Sequence, residues 1–158
     1  MDKLKKTYEQ DIQEKNIRIV FDNLTLSLMM EVNVEQFSKV LAGILKNSMY
    51  ALLKKSETVT FSPEIFLGLK VNKDMLEITI RDNGSGIDEN IKDKIFAPFF
   101  TTKTTGEAAG VGLYLCREIV QNHRGTIEVE SKKGEYTQFL ITIPVYQPKT
   151  ITPPKEEE

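Results

Sequence analysis

The segment Asp82-Asn83-Gly84-Ser85-Gly86-Ile87 sets one carboxylate and two glycines directly after the alternating run Leu76-Glu77-Ile78-Thr79-Ile80-Arg81. A half-buried strand that exits into such a segment can bring backbone up against a flat ligand, because glycine takes positive φ and carries no Cβ. A carboxylate buried at the strand exit accepts a hydrogen bond from an exocyclic amine, which adenine presents and guanine does not at that position. Asp-Asn-Gly is equally a common turn sequence, so this segment needs partners elsewhere in the chain.

Three further segments supply them. Asn47 sits inside the helical run Ile44-Leu45-Lys46-Asn47-Ser48-Met49-Tyr50-Ala51. Its side-chain oxygen is a hard neutral ligand, suited to a magnesium ion that stays mostly hydrated and phosphate-bound. An exposed or back-bonded helical asparagine reads the same way. In Ile95-Phe96-Ala97-Pro98-Phe99-Phe100-Thr101-Thr102-Lys103, phenylalanines anchor a loop whose hydroxyls and cation reach outward, toward phosphate oxygens or only toward solvent. Gly106-Glu107-Ala108-Ala109-Gly110-Val111-Gly112-Leu113 opens a helix, where free backbone N–H groups and the positive dipole end favour phosphate.

These segments need a scaffold, and the pattern predicts one. Ile17 to Phe21 and, less distinctly, Leu26 to Met30 read as strands, and Val34 to Leu53 as the longest helix, with Phe37, Val40, Leu41, Ile44, Leu45, Tyr50 and Leu52 at helical spacing. Val59 to Val71 reads as extended with Pro63 marking an edge or interruption, followed by the strand Leu76 to Ile80. A short helix is predicted over Glu89 to Ile95, and Thr101 to Gly110 as a long loop. A second long helix covers Val111 to Asn122, with Val111, Leu115, Cys116 and Ile119 inward. Strands Thr126 to Glu130 and Gln138 to Ile143 close the fold through Lys132-Lys133-Gly134. The expected architecture is an α+β two-layer sandwich, one mixed sheet with its helices on one face. Residues 1–16 read as a charged helix with Leu4, Tyr8 and Ile12 on one face, residues 17–146 as the folded domain, and 147–158 as a disordered tail rich in proline and glutamate.

Composition narrows the function classes. Of 158 residues, 21 are Lys or Arg against 23 Asp or Glu, so no basic footprint for nucleic acid is present. No apolar run approaches the roughly 20 residues that span a bilayer, and the first residues do not continue into a signal peptide. One cysteine, Cys116, excludes an intrachain disulfide and suits a reducing, cytoplasmic compartment. The one histidine, His123, lies at a helix end before Gly125, where the macrodipole favours it.

In this order, the four segments closely resemble the ATP-binding boxes of the GHKL superfamily of gyrase, Hsp90-type chaperones, histidine kinases and MutL. Within it, Phe96-Ala97-Pro98-Phe99-Phe100-Thr101-Thr102-Lys103 resembles the nitrogen-sensor-like branch of bacterial sensor histidine kinases. The resemblance covers roughly residues 17 to 145 and implies the Bergerat ATP-binding fold. It implies Asn47 as the magnesium ligand, Asp82 as reader of the adenine amino group, Gly84, Gly86 and Ile87 around the base, and Thr137 as support for Asp82. Phe99 and Phe100 match the phenylalanine box and Gly110 and Gly112 the second glycine box, with Thr101, Thr102, Lys103, Val111 and Leu113 beside them as nucleotide-binding residues and a mobile ATP lid between Lys103 and Gly110. The implied cofactors are ATP and Mg2+.

Departures shape the expected reaction. The hydrolysing branches carry a glutamate one turn before the magnesium asparagine, and this chain has Gly43 there, so a general base for water is missing. Tyr50 stands where many sensor kinases place a phosphate-contacting lysine, a task left to Lys46 or Lys103. No phosphoacceptor histidine precedes the boxes. The implied function is transfer of the γ-phosphate of Mg-ATP to a histidine on a separate dimerisation/phosphoacceptor domain in two-component signal transduction, serving a response regulator indirectly. No general base is expected in this chain, which should be a monomer, without nucleic-acid or membrane contact, from the cytoplasm or the cytoplasmic portion of a membrane-bound sensor. Alternatives are an anti-sigma-type serine/threonine kinase, against which Gly43 argues, and a nucleotide-sensing module without transferase activity.

Overall fold

Alternation of apolar and polar residues along the strands builds a sheet with one dry face. A computed structural model describes residues 12–22, 33–103 and 110–145. Strands β1 (Arg18–Asp22), β2 (Glu64–Asn72), β3 (Met75–Asp82), β4 (Thr126–Lys132) and β5 (Tyr136–Pro144) form one sheet in the order β1-β2-β3-β5-β4. β1 runs parallel to β2 and every other pairing is antiparallel, so the sheet is mixed as expected. The register places Leu76 opposite Ile143, Ile78 opposite Ile141, Ile80 opposite Phe139 and Asp82 opposite Thr137. All eight of these side chains are buried, and the same face continues through Ile65 of β2. The other face carries Glu77, Thr79, Arg81, Gln138 and Thr142, with the Arg81 guanidinium over the Tyr136 ring at 4.1 Å.

Helices α1 (Val34–Ser56) and α3 (Gly112–Asn122) cover the dry face, and a short helix, α2 (Glu89–Lys92), follows the β3 exit. α1 starts where Asn33 Oδ1 accepts from the Gln36 N–H at 3.0 Å, and it carries Glu35 in its first turn and Lys54 and Lys55 in its last. That charge order complements the macrodipole. Its buried stripe is Phe37, Val40, Ile44, Ser48, Met49 and Leu52; four of these, 40, 44, 48 and 52, recur every four residues. α3 buries Cys116 and Val120. Leu115, expected inward, is 50% exposed, because the buried arc runs through 116 and 120, and residue 115 falls about 100° away from 116.

His123 ties the two long helices together. Its Nδ1–H donates to the Ile119 carbonyl at 2.7 Å while Nε2 accepts from the Asn33 N–H at 2.9 Å. The ring thereby joins the C-terminus of α3 to the N-cap of α1.

Element ends differ from the sequence-based expectation in a regular direction. β2 starts only after Pro63, which has no N–H to give the ladder, and its first residue is held by Asn83. β4 and β5 extend to Lys132 and Tyr136 because the turn tightens at Gly134, φ +81°. The short helix ends at Lys92 rather than Ile95. Residues 12–14 are helical and stop at Asn16 in left-handed conformation, φ 51°. The expected strand at Leu26 to Met30, the stripe residues Leu4 and Tyr8, and the terminal segment from 146 lie outside the described residues.

Candidate functional site

The loop after β3 is held by protein on both sides. A Cβ on Gly84 would lie 2.7 Å from the Ala51 carbonyl carbon, and one on Gly86, at φ +64°, 2.2 Å from the Lys132 oxygen. Ser85 N–H donates to the Ala51 carbonyl at 3.1 Å, and Gly134 N–H donates to the Ser85 carbonyl at 2.7 Å. These glycines therefore let the loop thread between α1 and the β4–β5 turn. The close approach that the sequence suggested toward a ligand is made, at Gly84, toward the α1 backbone.

Between this loop, α1, the Phe96–Lys103 segment and the start of α3 lies a cavity of about 640 Å3. Asp82 lies in its floor, 2% exposed, beside Thr137, at 4%, and Ser48, at 1%. Asp82 Oδ1 accepts from the Gly84 N–H at 3.0 Å. Burial pushes the Asp82 carboxyl up to about 6, against the pull of the Ser48 hydroxyl, the Gly84 amide and the Lys55 ammonium. The Ser48 hydroxyl faces Asp82 without reaching a hydrogen bond of good geometry, and it is a buried oxygen with no protein partner. A buried hydroxyl left open beside a buried carboxylate is costly unless something polar completes the set. Behind them Ser131 Oγ donates to the Tyr136 carbonyl at 2.6 Å, accepts from the Ile87 N–H at 2.8 Å and stands 3.1 Å from Thr137 Oγ1. This ties the glycine loop to the β5 hydroxyl.

Apolar walls join the floor to a polar mouth. Ile87, Ile91, Ile95, Phe100, Leu113 and Phe139 line the cavity, with Phe96 edge-on to Phe139 at 6.3 Å supporting them from behind. At the mouth Asn47 and Tyr50 project from one face of α1, three residues apart. Lys103 Nζ donates to Asn47 Oδ1 at 3.2 Å and lies 4.6 Å from the centre of the Tyr50 ring. α3 opens at this mouth, and Val111 before it makes no side-chain cap and its first turn holds no acidic residue. α1 and α2, by contrast, are capped by Asn33 and Asp88. With no side-chain cap from Val111, the positive end of α3 is left toward the cavity among the described residues.

Of the residues singled out from sequence, Asn47, Asp82, Gly86, Ile87, Thr101, Thr102, Lys103, Gly110, Val111, Gly112, Leu113 and Thr137 all line this one cavity. Gly84 and Phe99 do not. Gly84 lies against Ala51, and Phe99 is 78% exposed at φ +64°, while its neighbour Phe100 faces inward. A Cβ on Gly110 would lie 2.5 Å from the Phe99 carbonyl carbon, so the chain leaves and re-enters this mouth at adjacent points. The expected lid between them falls mostly on 104–109, outside the described residues. Sequence reasoning missed Ser48, Lys54, Asp88, Ile91 and Lys133 as lining residues. Ser48 had a readable signal, a small polar residue breaking the stripe Val40, Ile44, Leu52. The pair Lys133 Nζ to Asp88 Oδ2, 2.8 Å, had none.

A mixed sheet backed by helices on one face, with a buried acid at the end of a central strand and a free helix N-terminus across the cavity, defines a nucleotide-binding α/β sandwich. The chain belongs to the family described as histidine kinase-, DNA gyrase B-, and HSP90-like ATPase, whose model matches residues 33–147. It is 34% identical over 148 residues, 92% of its length, to cyanobacterial phytochrome A of Nostoc sp., and 35% identical over 113 residues, 71% of its length, to sporulation kinase E of Bacillus subtilis. It spans only 18% and 14% of those two proteins. The catalytic domain of histidine kinase ThkA, in a nucleotide-free form, superposes with a TM-score of 0.74 at 28% identity, covering 90% of this chain and 88% of that one. No helix among the described residues is long and apolar enough to cross a membrane.

Proposed function

We propose that this chain is the catalytic ATP-binding domain of a sensor histidine kinase, holding Mg-ATP for transfer of its γ-phosphate to a histidine on a separate dimerisation/phosphoacceptor domain. The observation that carries the reading is Asp82, buried and raised toward neutrality in the cavity floor, with an unpartnered hydroxyl at Ser48 beside it. A site that keeps a carboxylate and a hydroxyl dry and open fits a ligand bringing an amine and a ring nitrogen together, as adenine does.

Ile87 and Leu113 fit the faces of the base, Asp82 its amine, and Thr137, opposite Asp82 in the β3–β5 register, the support of that carboxyl. Thr101, Thr102, Lys103 and the N–H groups from Gly110 to Leu113 fit the phosphates, with Gly86 and Gly84 shaping the loop and Phe99 and Phe100 anchoring the segment. Asn47 would hold magnesium, and a lysine ammonium already rests on its oxygen, which supports a cation seat there. When bound, the metal would neutralise charge on the phosphates. The protein's own contribution is to position the nucleotide, exclude water from its base and present its distal phosphate outward.

The acceptor belongs to another domain. His123 has both ring nitrogens engaged, at Ile119 and Asn33, and serves to join helices. Gly43 lines the cavity without a side chain, so no base for hydrolysis stands one turn before Asn47. Residues 1–16 read as the end of an upstream helical hairpin, and a response regulator would receive the phosphate after that hairpin. The isolated domain is proposed to be a monomer from the cytoplasmic portion of its parent protein.

The test is radiolabelled ATP with this chain and a panel of helical hairpins bearing a histidine. Label stable to alkali and labile to acid is the expected result. Alkali-labile label on serine would replace it with the anti-sigma-type reading, and ATP binding with no transfer to any hairpin would leave a nucleotide-sensing module.

A further inference from the structure

Tyr50 and Lys103 meet at the mouth of the cavity, where the ring and the ammonium are paired. The Tyr50 ring lies one helical turn beyond Asn47 on the cavity face of α1, and the Lys103 ammonium rests between the two, 3.2 Å from Asn47 Oδ1 and 4.6 Å from the ring centre. The loop that carries Lys103 is turned toward them, with Lys103 N–H donating to Thr101 Oγ1 at 3.1 Å. An ammonium on a neutral amide oxygen and over an aromatic face occupies a seat for a cation, built from one hard ligand and one quadrupole. The seat lies at the mouth, on the same cavity as the uncapped start of α3, so a phosphate chain entering there meets both.

We propose that Lys103 is the protein's own cation for the terminal phosphate, and that Asn47 with Tyr50 is its resting seat in the nucleotide-free state. Asn47 would hold magnesium when Mg-ATP is bound, so Lys103 would then leave the amide oxygen and its ammonium would move onto phosphate. Tyr50 is a positioning residue. It contributes no charge of its own, and it keeps a mobile lysine beside the phosphate path, on a flexible stem of four carbons that can reach either place. This inference rests on the ATP-binding reading above and adds to it the source of the phosphate-side charge.

Nuclear magnetic resonance of the whole chain reads the exchange directly. In the nucleotide-free protein the Lys103 ε-methylene protons, assigned by their loss in Lys103→Arg, should resonate upfield of the other lysines because they lie over a ring. Adding Mg2+ with a non-hydrolysable ATP analogue should return them to the ordinary position, adenosine alone should not, and Tyr50→Leu should abolish the upfield shift without nucleotide. In equilibrium binding Lys103→Met should weaken ATP about tenfold and ADP less than threefold, with Lys103→Arg recovering most of the loss. An ordinary Lys103 resonance in the free protein overturns the resting seat. ATP and ADP weakened equally, or not at all, overturn the phosphate role. If the wild-type chain binds no ATP, the functional reading fails and this inference with it; if it binds ATP while the Lys103 resonance stays put, the inference alone fails.

Discussion

Replacing Asp82 by Asn should make the protein more stable at neutral pH while removing its function. Burial lifts the Asp82 carboxyl from an ordinary 3.8 to about 6. Holding it ionised in the fold therefore costs about 3 kcal/mol, at roughly 1.4 kcal/mol for each pH unit of displacement. The sign is the reverse of the usual aspartate case. A folded carboxyl that binds its proton more tightly than the unfolded one contributes most below 3.8, and that contribution is lost as pH rises through about 6. Asparagine keeps an oxygen for the Gly84 N–H and adds donors facing Ser48 and Thr137, without a charge to desolvate.

Urea unfolding of wild type and Asp82→Asn in steps from pH 4 to pH 8 measures this directly. The stability of the variant relative to wild type should grow by about 2.5 kcal/mol between those limits, most steeply between pH 4 and 6, and level off above about pH 6.5. Carboxylates far from position 82 titrate alike in both proteins and cancel in the difference. ATP affinity should move the opposite way. In the wild type it should fall as pH drops below about 6, where the acceptor for the adenine amine becomes protonated, and in the variant it should be lost. A stability difference that is flat with pH would refute the raised carboxyl, and unchanged ATP affinity in the variant would refute the adenine contact.

Other substitutions probe the scaffold. A Cβ on Gly43 would lie 2.9 Å from Cys116 Sγ, so Gly43→Asn should destabilise alone and be relieved by Cys116→Ala, with a coupling of about 1 kcal/mol in a double-mutant cycle of thermal unfolding. Gly86→Ala forces a methyl group against the Lys132 carbonyl at positive φ; it should cost more than about 3 kcal/mol in denaturant titration and, in whatever folded fraction remains, reduce ATP affinity. His123→Ala removes the link between Ile119 and the Asn33 N–H and should lower stability by about 1–2 kcal/mol, leaving ATP affinity within twofold. Asn47→Ala should erase the difference between ATP affinities measured with Mg2+ and with a chelator, while adenosine binds as before.

Most of the fold was legible because each element carries its own period. The stripe Val40, Ile44, Leu52 marks α1, and the alternation Leu76, Ile78, Ile80 marks β3 with the burial found in the structure. Errors fell where tertiary contacts decide. Leu115 satisfies helical spacing as well as Cys116 does, and only the position of α1 selects the arc that is covered. The glycines of the β3 exit announce a close approach, but no sequence pattern says that Gly84 approaches Ala51, 33 residues earlier. Likewise the Lys103–Tyr50 contact joins residues 53 apart, and nothing local to either one suggests it.

The two ends of the cavity share one physical design. At the floor Asp82 and Ser48 are held dry and incompletely partnered. At the mouth Val111 gives the α3 N-terminus no side-chain cap. Each omission lowers the stability of the empty protein by a small amount relative to a fold that satisfied itself. In the proposed reading both are recovered together only by a ligand with an amine-bearing base at one end and phosphates at the other, separated by the span of the cavity. A nucleoside completes only the floor and inorganic phosphate only the mouth. The stabilisation by ATP, measured as a shift in unfolding midpoint at saturation, should therefore exceed that from adenosine and phosphate added together, because one molecule completes both ends for a single cost of association.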